Sequence, residues 1–393
     1  MMPQLSRRAA LLGLTSAFTL GRASLALAGA PTDRRFIVVI LRGALDGLSA
    51  VVPHGDPALA GLRGELIPNS LLDLGGFYGL HPSLAGMHAM YKTGELLPVH
   101  AVAGPTRTRS HFEAQDCLES GADHRLTSGW LNRAVAALPA TAGARPEGDA
   151  MAIGVSVPLL LRGPAAIGNW APHGVASPNP DLYAQIAVLN RRDGVTGPAI
   201  AEGLRARGFS GEVLGADDAP PQGSDRYAFP ALARAAGEML RAENGPRVAA
   251  LEIGGWDTHV AQAPRLTRGL RDLDAGLAAL KDGLGPAWKQ SALLVLTEFG
   301  RTVRVNGTKG TDHGTATVAF VLGGAVAGGR VLADWPGLGE DRLLENRDLR
   351  PTCDLRSLAK GLLAQHLGLR KAALDEVFPD SAAAKPMPRL IAT

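Results

Sequence analysis

The sequence predicts an α/β fold, a sheet of buried strands covered by helices. Short continuous apolar runs, such as Phe36 to Leu41 and Ala292 to Leu296, suit strands buried on both faces. Leu266, Leu270, Leu273, Leu277, Leu280 and Leu284 step by four and three, which puts one leucine stripe on a helix over Pro264 to Leu284. That helix lies between the runs RVAALEIGG and SALLVLTEF, and strand, helix, strand is a βαβ unit.

The other elements follow in order. RRFIVVILRGALDGLSA opens with the first strand. The helix-like SLAGMHAMYKTG leads into a second strand in ELLPVHAVAG, and MAIGVSVP and TATVAFVLGG supply two more. Residues 134–247 are richer in Ala, Gly and Pro and read as an insertion within one domain spanning 29–393. In that insertion TAGARPEGDA and GADDAPPQGSDR are loops, and DLYAQIAVLNRR and AIAEGLRARGF are amphipathic helices. From Asp354, RSLAKGLLAQHLGL makes a capped helix that VFPD stops.

Composition narrows the function. Of 393 residues, 46% are apolar and 20% charged, which excludes a disordered chain. The formal charge is only +3, basic residues are scattered, and aromatics are 5%, so no dense basic stripe with stacking rings is present for nucleic acid. The two cysteines, Cys117 and Cys353, form no Cys-x-x-Cys, which disfavours haem attachment, iron–sulfur clusters and thiolate zinc. Cys117 reads as a small buried residue on a helix.

Residues 1–28 read as a signal peptide with a twin-arginine pair. Arg7 and Arg8 precede a weakly apolar stretch that Arg22 interrupts, and Ala26-Leu27-Ala28 offers a cleavage site. The apolar run is too short for a stable membrane anchor. The expectation is therefore a periplasmic or secreted protein whose first partner is the twin-arginine export machinery, a route taken after folding and often with a cofactor in place.

Ligands of open α/β sheets gather beyond the carboxyl ends of the strands. Polar residues just after the strands are Asp46, Ser110, Asp257 with His259, and Glu298 followed by Asp312 and His313. Ser110 and Glu113 fit a capping box opening the helix HFEAQDCLE, and a helix start also favours an anionic group. Arg301 either pairs with Glu298 or holds a substrate oxyanion. Carboxylates and imidazoles together suit two divalent ions, Zn, Mn, Ca or Mg, which neutralise a transferring phosphate or sulfate group and activate a hydroxyl such as that of Ser110.

The motifs LRGALDGL, HPSLAGMHAMYKTGELLPVHAV, RSHFEAQDCLESG, GGWDTH, TEFGR and GTDHG, in that order, resemble the exported family named domain of unknown function 1501. That family looks like a branch of the alkaline phosphatase and sulfatase superfamily. The resemblance implies a three-layer α/β/α sandwich with a largely parallel sheet and a two-metal site. By position, Asp46 matches the first carboxylate ligand, Ser110 the nucleophile, Asp257 and His259 the Asp/His pair, and His313 the last histidine. Glu298 stands where an Asp followed by His is usual, but Phe299 follows it, which leaves His111 or Asp312 as replacements. The Asp-to-His spacing in GGWDTH is also two rather than four. Thr106 and Thr108 are alternative hydroxyls, and RSHFE lacks the C/S-x-P-x-R setting of a sulfatase formylglycine.

The resulting expectation is an exported metal-dependent hydrolase of anionic phosphate or sulfate esters. Asp257, His259 and His313 hold one ion and Asp46 and Glu298 the other, with Arg301 or Arg109 steadying the substrate's charge. The alternative is a non-catalytic periplasmic binding or assembly protein that keeps a structural metal.

Overall fold

A computed structural model describes residues 34–138, 150–172, 228–243 and 245–392. The expected signal peptide and the helices expected at DLYAQIAVLNRR and AIAEGLRARGF lie outside the described residues.

The strands in chain order are β1 (Arg35–Leu41), β2 (Val51–Val52), β3 (Leu72–Asp73), β4 (Gly79–Leu80), β5 (Leu96–Ala103), β6 (Ala150–Ile153), β7 (Gly168–Trp170), β8 (Val248–Ile253), β9 (Ser291–Thr297), β10 (Thr317–Leu322) and β11 (Cys353–Asp354). Eight of them form one sheet in the order β11-β5-β10-β9-β1-β8-β6-β7. Only β10 runs against its neighbours β9 and β5; every other pairing in that sheet is parallel. The strands β2, β4 and β3 make a small antiparallel sheet. Part of the segment read as an insertion thus extends the main sheet, through β6 and β7.

Alternate residues of each strand feed two cores. Ile37, Val39, Leu41, Leu293, Val295 and Phe320 pack under the helices Ala85–Lys92, Phe229–Arg241 and Gln262–Leu284. Phe36, Val38, Ile40, Leu294, Leu296 and Val321 pack under Trp130–Ala136, Leu355–Leu367 and Lys371–Val377. The molecule is therefore a three-layer α/β/α sandwich. The period of two along buried strands explains why their sequences are apolar throughout.

The leucine helix starts at Gln262, two residues before Pro264. Leu270, Leu273, Leu277 and Leu280 are fully buried, each worth about 1.5–3 kcal/mol of burial. This helix joins β8 to β9 and crosses over β1, so β1 lies between the two strands it connects. It lies tightly against Phe229–Arg241, because a Cβ at Gly283 would stand 2.5 Å from the carbonyl of Arg234. Asp354 caps the helix Leu355–Leu367 by accepting from Arg356 N at 2.8 Å, as its sequence implied. Cys117 is buried on the helix His111–Ser120, and both cysteines are free.

Candidate metal centre

Loops after β5, β8 and β9 meet beyond the carboxyl ends of the parallel strands. The segment from Glu298 to Gly314 turns back because β10 descends beside β9. Arg301 and His313 pair across it as an antiparallel bridge, with Gly314 N donating to Gly300 O at 2.8 Å. Three glycines of this segment serve packing rather than loop freedom. A Cβ at Gly300, Gly310 or Gly314 would meet backbone of Ala316, His259 or Arg301 within 2.4 Å.

The hairpin carries His313 to a cluster with His111, Asp257 and His259. His313 Nε2 lies 3.0 Å from His111 Nε2 and 3.0 Å from His259 Nε2. Asp257 Oδ1 lies 3.0 Å from His259 Nε2 and 3.2 Å from His313 Nε2, and Asp257 Oδ2 lies 3.6 Å from His111 Nε2. Asp257 and His259 are 44% and 39% exposed at their side chains, so the cluster opens to solvent.

The outer nitrogens decide the chemistry. His111 Nδ1 donates to Glu298 Oε1 at 2.8 Å, His259 Nδ1 to Asp312 Oδ1 at 3.0 Å, and His313 Nδ1 to the carbonyl of Arg109 at 2.8 Å. In the neutral form each ring then points a bare Nε2 lone pair inward. Lone pairs held about 3 Å apart repel unless a cation or a proton lies among them. Nitrogen ligands at about 2.0–2.1 Å from a tetrahedral zinc stand about 3.3 Å from one another, so the spacing fits an ion. Outer acceptors that fix the tautomer are also the usual companions of metal-bound histidines.

The carboxyls around the cluster are held in the ionised form. Burial acts to raise the carboxyl of Asp257, but the bond and charge of Arg301 hold it below the usual range. Burial acts likewise on Glu298, yet hydrogen bonds from His111, Gln115 and Thr297 bring it to about 2. Hydrogen bonds from Asn306 and His259 lower Asp312. His111 is raised by its bond to Glu298, whereas burial lowers His313.

The structure thus gathers Asp257, His259 and His313 as the sequence implied, and adds His111. His111 was legible only as a substitute for the histidine missing beside Glu298. Its partner is Glu298 itself, which stands behind it. Glu298 Oε1 accepts from Gly43 N, His111 Nδ1 and Gln115 Nε2, and Oε2 accepts from Thr297 Oγ1. With both oxygens taken, Glu298 supports a ligand and does not face an ion. Gly43 went unnoticed in the sequence. Its φ is +117°, and a Cβ there would stand 2.7 Å from Asp257 N, so glycine lets the loops after β1 and β8 touch.

Asp46 is placed elsewhere. It is buried, and its Oδ2 accepts from Arg63 Nη1 at 2.5 Å, Ser49 Oγ at 2.7 Å and Gln262 Nε2 at 2.5 Å. Asp312 backs His259 rather than joining the inner set. Arg301 donates to Asp257 Oδ1 at 2.6 Å and spends its remaining nitrogens on Thr311. Arg109 is committed to Asp348 and Glu345. Both arginines, expected to steady the substrate's charge, place head-group nitrogens on partners within the protein. Ser110 is exposed and precedes His111, but its hydroxyl makes no cap. Glu113 takes a hydrogen bond from Thr108 Oγ1 at 2.9 Å, so the expected capping box does not form.

The family described as "Protein of unknown function (DUF1501)" matches residues 80–378, well over half of the chain. The chain belongs to the DUF1501 family. The match takes in every residue of the cluster. No curated protein matches this DUF1501 chain. Among solved structures it is similar to a phosphonate monoester hydrolase of Agrobacterium radiobacter, at 11% identity and a TM-score of 0.35, over 76% of this chain and 70% of that one. It is similar to the C-terminal periplasmic domain of EcEptC from Escherichia coli, solved with Zn, at 11% identity and 0.33, over 76% of each chain. A protein in the alkaline phosphatase superfamily from Vibrio parahaemolyticus matches at 10% identity and 0.28, over 77% and 62%. Likenesses of that size carry no assignment of substrate, metal or reaction. Among the described residues, no helix is long and apolar enough to cross a membrane.

Proposed function

We propose that this protein is an exported metal-dependent hydrolase of phosphate or sulfate esters that uses Ser110 as its nucleophile. The observation that carries the reading is the position of Ser110. It lies between Arg109, whose carbonyl accepts from His313, and His111, whose Nε2 faces the cluster, while its own hydroxyl is exposed and makes no cap.

His111, Asp257 and His313, whose ligand atoms all lie within 4.8 Å of one another, would hold one ion, with His259 beside them against Asp257 and His313; imidazoles with a carboxylate are a donor set suited to zinc. This cluster would take one ion, where two were expected from the sequence; Arg63 compensates the charge of Asp46, whose Oδ1 is buried without a partner, and both Glu298 oxygens accept hydrogen bonds. When bound, the ion supplies charge neutralisation for the anionic ester and a lowered pKa for a hydroxyl. The protein's own groups do the remainder. Arg301 orients Asp257, Glu298 orients His111, and the tether of Arg109 to His313 sets where Ser110 begins its helix. The twin-arginine pair at Arg7-Arg8 supports export in the folded state.

A specific observation favours a second reading, a non-catalytic binding or assembly protein. His259 stands as a fourth donor beside the His111, Asp257 and His313 group, and a four-donor set is the pattern of structural zinc sites, whereas catalytic sites keep a position open. Turnover of an aryl phosphate and an aryl sulfate by the zinc- or manganese-loaded mature chain separates the two. Hydrolysis that Ser110→Ala abolishes, with metal content unchanged, supports the hydrolase. Full metal occupancy with no turnover supports the second reading.

A further inference from the structure

Behind the cluster, the side chain of Gln262 joins three loops. It is fully buried in the first turn of the helix Gln262–Leu284. Its Oε1 accepts from Thr258 Oγ1 at 2.9 Å and from Thr311 Oγ1 at 2.5 Å. Its Nε2 donates to Asp46 Oδ2 at 2.5 Å. Thr258 sits between Asp257 and His259. Thr311 precedes Asp312-His313 and also receives Arg301 Nε at 3.2 Å, while Arg301 continues to Asp257. Asp46 is the anchor, pinned by Arg63, whose Nη2 in turn donates to Thr302 O at 2.8 Å.

Only a carboxamide satisfies this position. Two hydroxyls need an acceptor and a carboxylate needs a donor, and glutamine offers one at each end. Glutamate would put a second carboxylate against Asp46, and methionine would leave the hydroxyls of Thr258 and Thr311 without their acceptor and take one of three donors from Asp46 Oδ2.

We propose that Gln262 is a positioning residue for the metal centre. Through Thr258 and Thr311 it fixes the separation of the Asp257–His259 loop from the His313 hairpin, and so sets ion affinity without touching the ion. The proposal rests on the reading that the cluster holds a metal.

The test is zinc affinity of the full mature chain, measured by competition with a chromophoric chelator, beside stability of the zinc-free protein in urea. Gln262→Met is expected to weaken zinc binding about tenfold or more, the size of effect usual for groups behind metal ligands. Thr258→Val removes one link with little change of shape and is expected to weaken it about threefold to tenfold, which keeps the test open if Gln262→Met does not fold. Leu270→Ala lowers the stability of the same helix from the core side and is expected to leave affinity within about twofold. Unchanged affinity in Gln262→Met, or in Thr258→Val where the former does not fold, overturns the proposal alone. So does a loss in Leu270→Ala as large as theirs, because the effect would then be general stability. Wild-type protein that takes up no zinc overturns the metal reading and the proposal with it.

Discussion

His111 donates through Nδ1 to a carboxylate with no solvent exposure, Glu298, whereas His259 leans on the half-exposed Asp312 and His313 on a backbone carbonyl. The bond between His111 and Glu298 is therefore the least screened of the three supports, and the one most able to fix a ring and raise its basicity.

Replacing Glu298 tests that ranking. Glu298→Gln keeps the shape but turns an acceptor of four hydrogen bonds into a group with two donors of its own. Zinc affinity is expected to fall about 10–100-fold, and more than for Asp312→Asn. Competition titration of both variants checks the order; equal losses would remove the special place of Glu298.

The pair of Asp46 and Arg63 is fully buried, at 1% exposure for each side chain. Breaking it from one side leaves a charge without compensation. Arg63→Met is expected to cost about 3–5 kcal/mol in urea unfolding. The double variant Asp46→Asn/Arg63→Met is expected to recover part of that loss, since it removes the stranded carboxylate. No recovery would mean that Arg63 acts mainly through Thr302.

Acid should weaken the fold through histidines remote from the cluster. Burial, the largest influence, lowers His100 and His366 to about 4, from an ordinary 6.5. In the fold His100 uses both nitrogens as a neutral ring, donating to Val51 O and accepting from Ala101 N. Between pH 6.5 and 4 the unfolded chain binds the extra proton and the folded one does not. The stabilisation is complete above pH 6.5 and lost as pH falls toward 4, by on the order of 3 kcal/mol for each ring. Urea midpoints should fall from pH 7 to pH 4.5, and His366→Gln should flatten that slope.

Contact between the helices Gln262–Leu284 and Phe229–Arg241 depends on absent side chains. Gly283→Ala would place a methyl group 2.5 Å from the carbonyl of Arg234, where rigid backbone must yield. A loss of about 1–3 kcal/mol is expected, although alanine ordinarily favours a helix over glycine. A gain in the melting temperature would show that the two helices separate readily.

Strands were legible because burial on both faces writes itself as continuous Val, Ile and Leu, as in β1 and β9. The leucine helix was legible because its period is local. Asp257, His259 and His313 were legible from a rule about strand ends, which needs no knowledge of partners. Roles were not. Asp46 and Asp257 look alike in sequence, and what separates them is Arg63 beside one and three imidazoles beside the other. The partners of Glu298, Gly43 and Gln115, lie more than 180 residues away along the chain. The phenylalanine after Glu298 did signal a missing ligand, and His111 filled it, but the opening of a helix offered a simpler use for that stretch.

The donors reach the cluster from three separate parts of the chain: one beyond β5, two beyond β8, one at the far end of the hairpin. An ion there would work like a rivet through three plates. Without it the loops are held to one another by hydrogen bonds alone, such as those of Gln262 and of Arg301 to Asp257, so limited proteolysis should nick stripped protein near Asp257 and His313 sooner than loaded protein, while the strands beneath stay intact.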